Sequence, residues 1–188
     1  MSLILLGILN SQVSGAAAGA YDLLESTVLT SSASSVSFTG LDGYSDYKHL
    51  QIRATGRTTA ANTNSTAQIR FNSVSTSNNS WHEMFGQGSS VSSQAWASQT
   101  SIGLGNLHGG NSGANEFSGW VIDILDFSSG SKNTTVRYLN GKHDSAGLDL
   151  IRFGSGAYYS TDAVASLEIL FGGNSAAIGS RFSLMGVK

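Results

Sequence analysis

Glu116–His143 reads EFSGWVIDILDF, then SSGSK, then NTTVRYLNGKH. Two β-rich runs flank a short polar turn that contains Gly130, which is the pattern of a long hairpin. In the first run Trp120, Ile122 and Ile124 fall on one face of a strand, and Val121, Leu125 and Phe127 on the other. Both faces are largely apolar, so the strand is expected inside a packed pair of sheets. Asp123 and Asp126 interrupt it. A spacing of three on a strand points them to opposite faces, which argues against a catalytic carboxylate pair. The expectation is that one takes hydrogen bonds from a loop and the other pairs with Arg137 or Lys132 across the hairpin.

Strand-like runs recur outward from this hairpin. Tyr47–Gly56 alternates Leu50, Ile52 and Ala54 against His49, Gln51 and Arg53. Further strands are expected over 21–30, 35–41, 67–72, 80–85, 99–107, 148–153, 163–171 and 178–187. Residues 86–98 are rich in Gly, Ser and Gln and read as a loop holding a lone Trp96. His108–Asn115 (HGGNSGAN) is the strongest turn signal in the chain. About ten or eleven strands at roughly ten-residue spacing, with no helical period, predict an all-β antiparallel β-sandwich of jelly-roll type. No repeat of fixed length argues for a propeller or a solenoid.

Composition agrees. Gly supplies 23 of 188 residues, against a usual ~7%. Charged residues make up 12%, where ordinary domains carry about 25%. Neutral polar residues take their place, as on virion and extracellular surfaces. The net charge is −2 and the ten Lys and Arg are scattered singly. That disfavours a nucleic-acid partner, since neutralising phosphates needs clustered cations. There is no cysteine, hence no disulfide and no thiolate zinc site. There is also no proline, for which we have no physical account.

The N-terminal run Ser2–Leu9 (SLILLGIL) is the most apolar in the chain. Small residues ending near Ala18 or Ala20 follow it and suggest a signal peptide, but no Lys or Arg precedes the apolar run. The run is too short for a membrane span, which needs about 20 residues. Leu3, Ile4, Leu5, Leu6, Ile8 and Leu9 are better explained as a docking arm buried against another subunit or another protein. Packing on the chain's own domain is the alternative. The expected division is an arm and small-residue linker at 1–20 and a β-sandwich at 21–188.

Catalytic and metal motifs are not found. His49, His82, His108 and His143 have no metal-ligand spacing. His108, in its Gly-rich stretch, is a candidate for ligand contact but fits a solvated loop position better. Gly103-Leu104-Gly105 sits in no strand-to-helix unit and is not a dinucleotide fingerprint. No enzyme activity and no cofactor are expected. The tryptophans hold the remaining interest, because an indole face suits the apolar face of a pyranose. Trp120 reads as core, Trp81 as core before ligand, and Trp96 as a ligand-surface or interface anchor.

Ser2–Gln12 (SLILLGILNSQ), Gly19–Glu25 (GAYDLLE), Tyr47–Arg53 (YKHLQIR), Val121–Phe127 with Lys132–Arg137, and Gly179–Gly186 (GSRFSLMG) carry a resemblance. The chain resembles, end to end, a group of small virion proteins of tailed bacteriophages, frequent in aquatic phages. Met185 departs from the pattern, which more often has an aromatic there. The resemblance implies a structural role on a particle assembled in the host cytoplasm, and it supplies no catalytic residues. The expected function is a tail-associated fibre or attachment subunit, homotrimeric and anchored by the arm to itself or to other virion proteins. A capsid decoration protein and a carbohydrate-binding module for host-surface glycans are the alternatives.

Overall fold

The computed structural model describes residues 19–143, 145 and 149–188. The proposed docking residues Leu3, Ile4, Leu5, Leu6, Ile8 and Leu9 lie outside the described residues. The described residues form twelve strands: β1 (Tyr21–Val28), β2 (Ser35–Thr39), β3 (His49–Gly56), β4 (Asn64–Phe71), β5 (Asn79–Gln87), β6 (Ser90–Gln99), β7 (Ile102–His108), β8 (Ser118–Leu125), β9 (Thr134–Lys142), β10 (Leu150–Tyr158), β11 (Ser166–Leu170) and β12 (Arg181–Val187). The described residues include a single short 3-10 turn at Leu41–Tyr44 and no α-helix. No helix among them is long and apolar enough to cross a membrane.

The strands form an antiparallel β-sandwich of unequal layers. One sheet has eight strands in the order β1-β12-β3-β8-β9-β10-β5-β6, the other four in the order β2-β11-β4-β7. In the small sheet no two neighbours are consecutive in sequence, so the chain crosses between layers repeatedly, an arrangement compatible with a jelly roll. The expected central hairpin is present as β8–β9, with Trp120 opposite Asn140 and Ile122 opposite Tyr138.

The core lies between the layers. Leu50 and Ile52 of β3, Trp120, Ile122 and Ile124 of β8, and Phe182 and Leu184 of β12 face Phe38 of β2, Ile69 and Phe71 of β4, and Leu167 and Ile169 of β11. The expectation that both faces of β8 are packed is not met. The small sheet covers one face only, and Val121 on the other is exposed. Phe127 is nevertheless fully buried. Asp126, just past the end of β8, takes a left-handed φ of 55° and turns the chain back toward the core.

The 86–98 loop is also corrected. Gly88 and Ser89 form a two-residue turn between β5 and β6, with Gly88 at a φ of 56°, the geometry a II′ hairpin turn requires. β6 is an edge strand exposed along most of both faces. It therefore needs no apolar alternation, and none is visible in its sequence.

β7 is an edge strand of the opposite kind, buried at every residue. Its free edge is satisfied by side chains of the facing sheet. Trp120 Nε1 donates to Leu104 O at 2.7 Å, and Asn106 N donates to Asn140 Oδ1 at 2.9 Å. His108 N donates to Ser118 Oγ at 3.0 Å. A β-bulge lies in the same stretch, where the β4–β7 register shifts between Thr66 and Gln68. Gly105 occupies it with a φ of 85°, and a Cβ there would meet Asn140 Oδ1 at 2.5 Å.

Replacing Asn140 by Leu keeps the branching and the number of side-chain heavy atoms and removes the acceptor for a buried N–H. We expect a loss of about 1–3 kcal/mol, the cost of an orphaned buried donor, read as a lower urea midpoint with an unchanged slope. An unchanged midpoint would mean that Asn106 N is satisfied in another way.

Candidate functional site

Where the eight-stranded sheet runs past the four-stranded one, its inner face is left partly open. β5 alternates, so Trp81, Glu83 and Phe85 point inward. Register then sets their neighbours. Trp81 is opposite Trp96, and Glu83 is opposite Gln94. Arg152 is opposite Phe85, and Gly154 stands between Glu83 on one side and Tyr138 on the other. β4 and β7 form the facing wall with Gln68, Gly103 and Asn106, and the cleft between holds about 180 Å³.

The two indoles are stacked, with ring centroids 3.7 Å apart and planes at 20°. Trp81 packs against the core and lies on Gly103, where a Cβ would fall 2.5 Å from its ring. It therefore braces Trp96, which is half-buried on a strand whose other residues are almost all exposed. Trp81 is core and a wall of the cleft at once. Trp96 sits on a strand and not in a loop, so its partner is fixed by register. Sequence reading singled out both residues without seeing that they pair.

Below the indoles lies a buried polar group that sequence reading missed. Glu83 is 3% exposed. It accepts from Tyr138 Oη at 2.6 Å, and its other oxygen accepts from Arg152 Nη1. The Tyr138 phenol reaches it by passing over Gly154, which has no side chain to block the way. Burial, and then the hydrogen bond to Glu83, hold the Tyr138 pKa far above its usual range, so the phenol remains a donor. The Arg152 guanidinium lies 4.4 Å from the Phe85 ring centroid. Its Nε is buried and has no hydrogen-bond partner among the described residues. The only sequence signal for this group is charge at two inward strand positions, which alternation with Met84 and Phe153 could have exposed.

His108 is elsewhere, and the expectation of a solvated loop position is wrong. It ends β7 fully buried, with Nδ1 3.0 Å from Ser118 Oγ and Nε2 2.8 Å from His143 O. Glu116 Oε2 is 3.7 Å from Nε2. A Ser, a His and a Glu thus meet, but Ser118 and His108 have no exposure and Ser118 Oγ is already bonded to the His108 backbone. The cluster fastens the 108–116 turn, together with Arg57, whose guanidinium donates to the carbonyls of Gly109 and Gly113. Asp123 and Asp126 each have their own cation, Arg137 at 3.3 Å and Lys132 at 3.2 Å.

The outer face of the large sheet carries a second feature. Val121, Leu139, Phe153 and Met84 are cross-strand neighbours in one row over β8, β9, β10 and β5. They are 38–56% exposed, and Ile151 beside them is 58% exposed. Next to the row is a shallow groove of about 550 Å³ that takes in Gly119 and Gly141, with Arg53 and Arg181 also on its lining. Both glycines have room for a Cβ, so packing does not demand them.

Compared with known proteins, the chain matches no family model, no curated protein and no solved structure.

Gly154→Ala places a methyl group where the Tyr138 ring lies, 2.3 Å from its nearest atom. Overpacking of this kind costs about 1–3 kcal/mol, and it should separate Tyr138 from Glu83. We expect a lower melting temperature for Gly154→Ala, and a double variant with Tyr138→Leu that loses less than the two single variants together, because the ring atoms the methyl group meets are then gone. Full stability of the single variant would show that the ring moves aside freely.

Proposed function

We propose that the chain is a structural subunit of a tailed-phage virion, a tail-associated fibre or attachment protein that assembles as a homotrimer through its apolar arm. The observation that carries this reading is the exposed row Val121–Leu139–Phe153–Met84 on the outer sheet face. Contiguous exposed apolar area of this kind marks an interaction surface. The apolar run at 3–9 is a second surface that needs burial. Tyr21, at the start of β1, lies 5.2 Å from the guanidinium of Arg53, which lines the outer groove. The linker therefore joins the domain beside that groove. The twelve residues that lead from Leu9 to Tyr21 span up to about 40 Å when extended. The arm of a neighbouring copy is the occupant we assign to the outer band Val121–Leu139–Phe153–Met84. Sparse charge and the resemblance to aquatic-phage virion proteins support the same reading.

Deleting residues 1–12, or replacing Leu139 by Asp, should leave a folded domain that sediments as a monomer while the full chain does not. Normal assembly of both variants would remove the arm and the band from the account. Immunogold microscopy of the source virion, with antibody to the sandwich, should label the tail. Label spread over the head would replace the fibre reading with capsid decoration.

A further inference from the structure

We infer that the cleft between β5, β6 and the edge of β7 is a binding site for a single uncharged pyranose residue of a glycan, stacked on Trp96. This goes beyond a structural role and does not depend on where the chain sits in a particle.

Four observations converge. The first is the stacked pair itself. A pyranose has a face of axial C–H groups that lies well on an indole, and a stacking platform is most useful when it is already immobile. Trp96 meets that condition, since Trp81 holds it from behind at 3.7 Å and Trp81 is itself seated on Gly103. The pair also sits on an edge hairpin with few other apolar residues on β6. The core does not require an indole at position 96.

The second is charge. Glu83 and Arg152 neutralise each other inside the cleft, and Tyr138 satisfies the second carboxylate oxygen. A buried pair of this kind resists separation, because breaking it leaves an uncompensated charge. An anionic or cationic ligand would therefore find no free countercharge there, while hydroxyl groups can bond to both members without parting them.

The third is the unpaired Arg152 Nε. Buried donors without a partner are rare and costly. This one belongs to a residue that lines the cleft, and a small shift of the guanidinium when a sugar enters would present it to a hydroxyl oxygen. Gln94, exposed and opposite Glu83, and Gln68 on the facing strand add neutral amides that can both donate and accept. Small-molecule sites commonly combine an apolar wall with a few convergent polar groups in this way.

The fourth is size. About 180 Å³ is below the ~300–1,000 Å³ typical of drug-sized ligand pockets. The space suits one ring, with the rest of a chain left outside.

The test uses the purified full-length chain and saturation-transfer NMR with the methyl glycosides of glucose, galactose, mannose and N-acetylglucosamine. Methyl glucuronide serves as the charged control. At least one neutral glycoside should show transfer to its ring C–H protons and quench tryptophan fluorescence, and the glucuronide should not. Trp96→Ala should weaken that binding at least tenfold in a chain that still folds, its melting temperature lowered by no more than the loss of one stacked pair. Gln94→Ala, on an exposed position, should weaken it severalfold and guards against a folding artefact. Failure of every neutral glycoside to bind overturns the inference, as does binding of the glucuronide alone. Binding that survives both variants places the sugar elsewhere and also overturns it.

Discussion

The free edge of β7 is the constraint on which the rest of the arrangement depends. An edge strand normally meets solvent, because its unpaired N–H and C=O groups need water. Here the edge is buried along its whole length, so every group on it has to be matched by the protein. Trp120, Asn140 and Ser118, from β8 and β9, supply matches for Leu104, Asn106 and His108. These bonds hold the two sheets in one relative position, which dispersion between apolar side chains alone would leave less specific. They also explain why a strand pair at the centre of the sandwich carries a buried Asn and a buried Ser in otherwise apolar surroundings.

The mismatch between eight strands and four produces both surfaces. Four strands cannot cover the inner face of eight, so β5, β6 and part of β10 extend past them. On the inner side that overhang faces the β7 edge across a gap, and the gap becomes the cleft. Glycines set its shape. Gly103 lets Trp81 close against β7, Gly105 allows the bulge, and Gly154 lets Tyr138 reach Glu83. On the outer side nothing among the described residues covers the large sheet, and the apolar row of Val121, Leu139, Phe153 and Met84 stands open.

The sequence disclosed what depends on alternation and concealed what depends on layers. Leu50, Ile52 and Ala54 alternate with polar residues, and they are buried as the period requires. β8 is harder, because apolar residues occupy both of its faces, and its sequence is the same whether a second layer covers both or one. β6 was unreadable for the opposite reason. Exposed on two faces, it has no period to detect, and only its turn, with Gly88, marks it. His108 reads as a loop residue because GGNSG follows it. The turn begins one residue later, and burial of the imidazole depends on Ser118 and the His143 carbonyl, which alternation cannot predict. Trp81 and Trp96 could be named singly, but their stacking follows from the β5–β6 register, and that register requires β6 to be recognised as a strand.

The two surfaces lie back to back on the same strands. On β10, Arg152 points into the cleft while Ile151 and Phe153 point outward, and on β5 Glu83 and Met84 divide in the same way. Alternation on a strand makes this possible, since one residue serves each side without competing for space. A partner seated on the outer row therefore leaves the mouth of the cleft open. It would also stiffen β5 and β10, which are attached to the sandwich at this end mainly through β9 and the edge of β7. The positions of Glu83, Arg152 and Trp81 are set by those strands, so ordering them from behind reduces the conformational freedom a ligand has to restrain on binding. Assembly through the outer face and recognition through the inner one are thus physically compatible, and the first favours the second.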